Sequence, residues 1–339
     1  MYNIDLSSSG IKLAIIGTNF ISDTLCDAAK KTGLEITAVY SRALETGNEF
    51  AKKHGIKHVF CDFEEFLNSD VYNSAYVASP NFCHYLQTVS LLSHGKHVLC
   101  EKPAASNLSE FTEMRRLASE RGVAFIEAMR PAYDPAISVL RNEIKNIGKL
   151  RYAHIEYSQY SSRYDKFKNG IMTNAFDPAY SNAAVMDIGV YAIHVCVLLF
   201  GKPDGVISRS VKLENGFEGQ GNAILSYKDM TVEIAYSKIT EAASPSFIRG
   251  EYGEITFGHA LSKINEIKKL DRKGNEETVG FVPAENKMIF ELCAFSDFVN
   301  GKADSRYYLD CTETTIEIID EIRRQNGIVF PADSDTKYR

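Results

Sequence analysis

Three residues of this chain have the types and settings for proton chemistry: Lys102, Asp187 and Tyr191. Lys102 closes the stretch Val98-Leu99-Cys100-Glu101-Lys102-Pro103, an apolar run that stops on a carboxylate, an ammonium and a proline. Charge is costly to bury unless it is paired or used. At the carboxyl end of a buried strand, a partly desolvated lysine can hydrogen-bond a substrate hydroxyl and stabilise developing alkoxide charge. A surface strand-end ion pair would look the same in isolation. Asp187, Tyr191 and His194 recur at i, i+4 and i+7 of an apolar segment. On an α-helix this places an acid, a phenol and an imidazole in one stripe. Polar groups on a buried face need partners. A satisfied core network serves for His194 alone, while Asp187 with Tyr191 reads as the wall of a cleft. His194 is also a candidate substrate-side proton relay.

A second set of residues has the marks of a nucleotide site. Gly17-Thr18-Asn19-Phe20-Ile21-Ser22 follows the first apolar run. A dinucleotide turn asks for G-x-G-x-x-G there, for a tight bend, a close backbone approach and tight helix packing. Only Gly17 is present. Asn19 enters left-handed backbone space more readily than most residues, and Ser22 is small. The second run ends in Val39-Tyr40-Ser41-Arg42, with no acid to bind ribose hydroxyls. A hydroxyl and a planar guanidinium suit a 2′-phosphate, so NADP(H) is favoured over NAD(H). A solvated helix-start Arg42 is the plainer reading. Ser79-Pro80-Asn81-Phe82-Cys83-His84 follows another apolar run, with Asn81 expected as a helix N-cap.

These residues require a scaffold. Up to about residue 130, short apolar runs alternate with helix-length segments, the pattern of a parallel sheet covered by helices on both faces. Ligands of such sheets lie outside the carboxyl ends of the strands, where the Gly17, Ser41, Ser79 and Lys102 turns all fall. After Pro131 the rhythm changes. A long strand (150–160), a loop-like stretch (161–182) and an apolar helix (183–200) precede strand-like runs with short turns, so a mainly antiparallel sheet is expected. Two helices, 284–299 and 312–326, close the chain. The fold class is thus α/β: a Rossmann domain over 1–130 and a substrate and oligomerisation domain over 131–339.

The 339 residues carry a net charge of −6 with no basic block, which excludes a nucleic-acid binder. No apolar run reads as long enough to cross a membrane. Seven scattered cysteines without a C-x-x-C pair suggest reduced thiols and a cytoplasmic setting. His54 and His58 flank Gly55 in a loop-like segment, so no metal site is expected. Neither a G-x-S-x-G elbow nor a P-loop is present.

IIGTNFIS, VYSRA, VASPNFCH, LCEKP and MDIGVY, in that order, resemble the Gfo/Idh/MocA family, the glucose–fructose oxidoreductase and inositol dehydrogenase relatives. The resemblance spans most of the chain. It implies a Rossmann domain followed by an α/β domain with a large open sheet, through which copies form a homodimer or homotetramer. It implies hydride transfer between NAD(P) and a sugar, polyol or related alcohol. Lys102 then matches the catalytic lysine and Asp187 the substrate-orienting aspartate. Tyr191 stands where many members have a catalytic histidine and others a tyrosine. Glu101, Pro80, Asn81, His84 and Arg130 match cofactor-contacting positions, and the Lys102–Pro103 bond is expected to be cis. Asn19 replaces the second glycine of the turn, and Ser181-Asn182-Ala183-Ala184 replaces a glycine-rich approach to Asp187. In the implied oxidation Tyr191 takes the hydroxyl proton. A free phenol has a pKa of about 10, so Lys102 must favour the phenolate. The hydroxyl-rich stretch 157–167, with Tyr160 and Arg163, is a candidate substrate-side segment or an exposed polar loop. A non-catalytic NADP-binding sensor of the same fold is the rival; the Lys–Asp–Tyr set argues against it.

Overall fold

The computed structural model describes residues 4–258 and 260–334. The chain opens with β1 (Lys12–Ile16), α1 (Phe20–Thr32), β2 (Glu35–Tyr40), α2 (Leu44–His54), β3 (His58–Phe60) and α3 (Phe63–Leu67). β4 (Ser74–Val77), α4 (His84–Ser93), β5 (His97–Glu101), α5 (Leu108–Arg121) and β6 (Phe125–Ala128) follow. Then come α6 (Arg130–Tyr133), α7 (Pro135–Glu143), β7 (Leu150–Ser158), α8 (Ser162–Lys168) and a π-helical turn, Val185–Gly189, that runs into α9 (Val190–Phe200). The remaining strands are β8 (Gly205–Lys212), β9 (Glu218–Tyr227), β10 (Met230–Ser237), β11 (Ser246–Gly250), β12 (Gly253–Phe257), β13 (Ile267–Asp271) and β14 (Glu276–Thr278). α10 (Met288–Val299), α11 (Arg306–Asn326) and a 3-10 turn, Pro331–Asp333, complete the described chain.

Two compact units result. The first holds the described residues up to Arg130 together with Ala284–Asp310. The expected division at residue 130 is therefore incomplete, because α10 belongs with the nucleotide fold and packs on α1. The second holds Pro131–Pro283 and the described residues from Cys311 onward.

The first unit is built on a six-stranded sheet of order β3-β2-β1-β4-β5-β6, with every neighbouring pair parallel. β4 and β6 are buried at every position, so both sheet faces are covered and their sequences show no polar alternation. The order reverses between β1 and β4, which makes the carboxyl ends of these two strands the place for a ligand.

The second unit carries an eight-stranded sheet of order β14-β13-β12-β11-β7-β10-β9-β8. It is antiparallel except for the parallel pair β7 and β10. Alternate residues of β7 and β10, Ala153, Ile155, Val232 and Ile234, are buried beneath α9. α9 is apolar all round because it is enclosed on all sides. One expectation fails here. The helical stretch Pro178–Phe200 is long and apolar enough to cross a membrane by length and composition, and most of it is buried inside the protein.

Candidate active site and cofactor turns

In the first unit the turn after β1 is closed by side chains. Gly17 has φ +100, and a Cβ there would meet the carbonyl oxygen of Ala78 at 2.7 Å. Asn19 is extended rather than left-handed, with φ −89 and ψ 178. It caps α1: its Oδ1 accepts the N–H groups of Ile21 (2.9 Å) and Ser22 (3.3 Å), and its Nδ2 donates to Ala78 O at 2.7 Å. Ser22, fully buried, donates its hydroxyl to Gly17 O at 2.9 Å. The side chains of Asn19 and Ser22 thus lock the turn where the motif would use glycines.

Ser41 is buried, and its hydroxyl is 2.8 Å from that of Thr46 in α2. Arg42 is exposed and close enough to Tyr40 and Cys83 for its charge to favour the ionised form of each. The end of β2 and the turn after β4 therefore share one guanidinium. That turn begins with Pro80 and a 3-10 turn, Asn81–Cys83; α4 starts at His84, so Asn81 is not the N-cap expected of it. His84 is buried. Its Nδ1 lies 2.8 Å from Pro103 O and its Nε2 2.8 Å from Ser79 O, so the ring links the two strand-end turns. A neutral ring can donate to only one of these carbonyls. Burial pulls its pKa below the ordinary value, and the carbonyls oppose that.

β5 ends on Glu101-Lys102 because its two charges have different surroundings. Glu101 is buried, and accepts the Tyr76 hydroxyl and, at 3.3 Å, the N–H of Lys102. Lys102 is half-buried and precedes a cis bond to Pro103. Behind Glu101 lies Glu291 of α10, fully buried, with neither carboxyl oxygen hydrogen-bonded among the described residues. Burial first, then the negative charge of Glu101, pushes the Glu291 carboxyl up to about 8, and Arg130 opposes this.

In the second unit Asp187 sits in the π turn, and its Oδ2 is 2.7 Å from Lys238 Nζ. Glu218 of β9 holds the start of that turn. Its Oε2 accepts Val185 N–H at 2.8 Å, while its Oε1 accepts the hydroxyls of Tyr236 (2.8 Å) and Ser210 (2.6 Å). Burial nevertheless raises its pKa. Tyr236 fits between two glycines: a Cβ on Gly189 would meet its ring at 3.0 Å, and one on Gly221 its hydroxyl at 2.2 Å. Ser181, just before the turn, is buried with a left-handed φ of +55, where a glycine would be unstrained.

The family described as "Oxidoreductase family, NAD-binding Rossmann fold" matches residues 11–129, and the "GFO/IDH/MocA C-terminal domain" matches 143–256. The chain belongs to the Gfo/Idh/MocA family. It is accordingly an NAD(P)-dependent dehydrogenase acting on CH–OH groups. It is 40% identical over 326 residues to scyllo-inositol 2-dehydrogenase (NADP(+)) IolU of Bacillus subtilis (strain 168), covering 95% of this chain and 99% of the relative. It is 25% identical to bovine trans-1,2-dihydrobenzene-1,2-diol dehydrogenase, covering 95% and 99%. The structure of KijD10, a 3-ketoreductase from Actinomadura kijaniata in complex with NADP and TDP-benzene, shares the fold with a TM-score of 0.84 at 19% identity, covering 93% and 98%.

In this Gfo/Idh/MocA enzyme the residues fit a nicotinamide dinucleotide. The constricted Gly17 turn at the head of α1 suits a pyrophosphate, and the acid-free end of β2 leaves Arg42 for the adenosine end. Tyr191 is buried, with its ring edge-on to Tyr157 at 5.6 Å. His194 is a core residue rather than a relay. It is buried, its Nδ1 is 3.0 Å from the Thr315 hydroxyl, and burial pushes it down to about 3, so it is neutral. Of the three-residue stripe, Asp187 is partly exposed, while Tyr191 and His194 are buried. The stretch 161–182 is not a plain loop. Ser161 caps α8, Arg163 lies exposed in it, and the Tyr160 hydroxyl is 2.7 Å from both Asp165 and Lys168.

Sequence reasoning missed Lys238, Glu218 and Glu291. Two of them carry a signal. Val232, Ile234 and Tyr236 alternate inward along β10, and Lys238 continues that series. Glu291 shares a helical face with Met288, Leu292 and Phe295.

Proposed function

We propose that the protein is a polyol or sugar dehydrogenase that uses NADP(H) in preference to NAD(H). The observation that carries this is the presence of Lys102, Asp187 and Tyr191 in a chain 40% identical, over nearly its whole length, to an NADP-dependent inositol dehydrogenase. Arg42, without an acid beside it at the end of β2, supports the phosphate-bearing cofactor.

A bound nicotinamide would supply or accept the hydride of the carbinol carbon. Tyr191 takes the hydroxyl proton in oxidation and returns it in reduction. Lys102, at the end of β5, is the cation that offsets developing alkoxide charge. Asp187, held from behind by Lys238, accepts a hydrogen bond from a substrate hydroxyl and fixes which carbon reacts. The outer face of the eight-stranded sheet supports a contact between copies: Ile207 and Ile224 are direct cross-strand partners, 65% and 47% exposed.

The test is turnover of scyllo-inositol, then of other polyols and sugars, with NADP+ and with NAD+. Turnover that favours NADP+ and disappears in Lys102→Met supports the reading. Cofactor binding without turnover of any polyol or sugar overturns the substrate class.

A further inference from the structure

Lys238 follows the last residue of β10 in a position that strand alternation turns into the core. A buried ammonium demands strong partners, because its desolvation is expensive. Lys238 has four. Its Nζ lies 2.7 Å from Asp187 Oδ2 and donates to Ala175 O at 2.9 Å. The cation also stands over two aromatic faces, 5.0 Å from the Phe176 centroid and 5.4 Å from that of Phe217. The two rings are themselves 4.8 Å apart, so they form one cradle. The backbone is fixed as well: Lys238 N–H donates to Gly219 O, and Lys238 O accepts Ser161 N–H, both at 2.9 Å.

The two members of the pair differ in exposure. The Lys238 side chain is 3% exposed and that of Asp187 is 38% exposed. The cation therefore sits behind the carboxylate, on its protein side. Buried ion pairs are often replaceable by apolar packing without loss of stability. Here the buried partner holds an accessible carboxylate that the Proposed function assigns to the substrate.

We infer that Lys238 is a positioning residue: its ammonium commits one oxygen of Asp187 to the protein and ties that carboxylate to the turn carrying Ala175 and Phe176, so that Asp187 meets the substrate as a fixed anion. This rests on the proposed role of Asp187. It adds to Asp187 a lysine that touches no reacting atom.

The experiment compares Lys238→Met, Lys238→Arg, Asp187→Asn and the double variant Lys238→Met/Asp187→Asn. NADPH binding, followed by nicotinamide fluorescence, reports on the first unit and should stay within about twofold in all of them. Lys238→Met should lose at least about tenfold in kcat/KM for scyllo-inositol, chiefly through KM, and Lys238→Arg should recover part of it. In the Asp187→Asn background, Lys238→Met should cost nothing more, because both changes remove one arrangement. Wild-type kinetics in Lys238→Met, or an equal loss in both backgrounds, overturns the inference. If Lys238→Met does not fold, Lys238→Gln keeps a donor for Ala175 and takes its place. If the unmodified protein turns over no polyol, the Proposed function falls and crystal structures decide the pair. An Asp187 carboxylate displaced in Lys238→Met supports the inference, and one left in place overturns it.

Discussion

The side-chain amide nitrogen of Asn19 lies 2.7 Å from the carbonyl oxygen of Ala78, the same oxygen that a Cβ on Gly17 would meet at 2.7 Å. The turn after β1 is thus pinned to the end of β4 from two positions. Gly17→Ala, strained at φ +100 and clashing with backbone, is expected to abolish NADPH binding. Asn19→Ala removes the α1 cap as well as the tie, and should cost at least about 1 kcal/mol of stability. Nicotinamide fluorescence and urea unfolding read the two effects. Undiminished NADPH affinity in Gly17→Ala would remove the turn from the cofactor site.

Arg42 is exposed after β2, and the Proposed function sets it against the 2′-phosphate. Arg42→Ala should weaken NADPH at least about tenfold, the loss of a charge-assisted contact, and leave NADH nearly unchanged. Parallel titrations with the two cofactors decide it. Equal loss for both would mean that Arg42 serves the adenosine or the fold, not the 2′-phosphate.

Glu291 gives a pH dependence of defined sign. Its carboxyl moves from an ordinary 4.5 to about 8 in the folded protein, so between these values the unfolded chain has released a proton that the native chain keeps. The unfolded state is favoured as pH rises through that window. Glu291→Gln, which cannot ionise, should therefore match or trail the parent near pH 4.5 and be the more stable protein near pH 8.5. Melting temperatures across that range test this, and a constant difference between the two proteins would contradict it.

Gly221 faces the Tyr236 hydroxyl, and that hydroxyl bonds Glu218, which in turn holds Val185 N–H. Gly221→Ala should cost about 1–3 kcal/mol by overpacking, with the tyrosine forced off its carboxylate. Gly189→Ala, whose Cβ would lie 3.0 Å from the ring, should cost less. Denaturant unfolding ranks the two, and a harmless Gly221→Ala would refute the packing argument.

How much of this was legible beforehand differs between the units. The parallel sheet was readable because strands such as β4 are buried on both sides and flanked by helix-length segments. Its strand ends carried Lys102, Arg42 and the Gly17 turn for the same reason. α10 was readable as a helix but not as part of the nucleotide unit, since periodicity reports a buried face and not its neighbour. Asn19 was expected to act through its backbone and acts through its amide instead; the residue type permits both. The fate of His194 was hidden because an imidazole in an apolar helix serves equally as a core residue or as a cleft residue. Lys238 was overlooked because a lysine after a strand normally ends at the surface. Only the phase of Val232, Ile234 and Tyr236 betrays its direction.

The π turn also bears on how the enzyme can be altered by single codons. Such a turn accommodates one more residue than an α-helix of the same length. Loss of one residue from Val185–Gly189 can therefore be absorbed by conversion of the π turn to α-helix, with α9 and the sheet still packed. The side chains of the turn, Asp187 among them, would be redirected. In-frame loss of one codon here is thus a short route to a rearranged turn on an intact scaffold, and its reversal a route back.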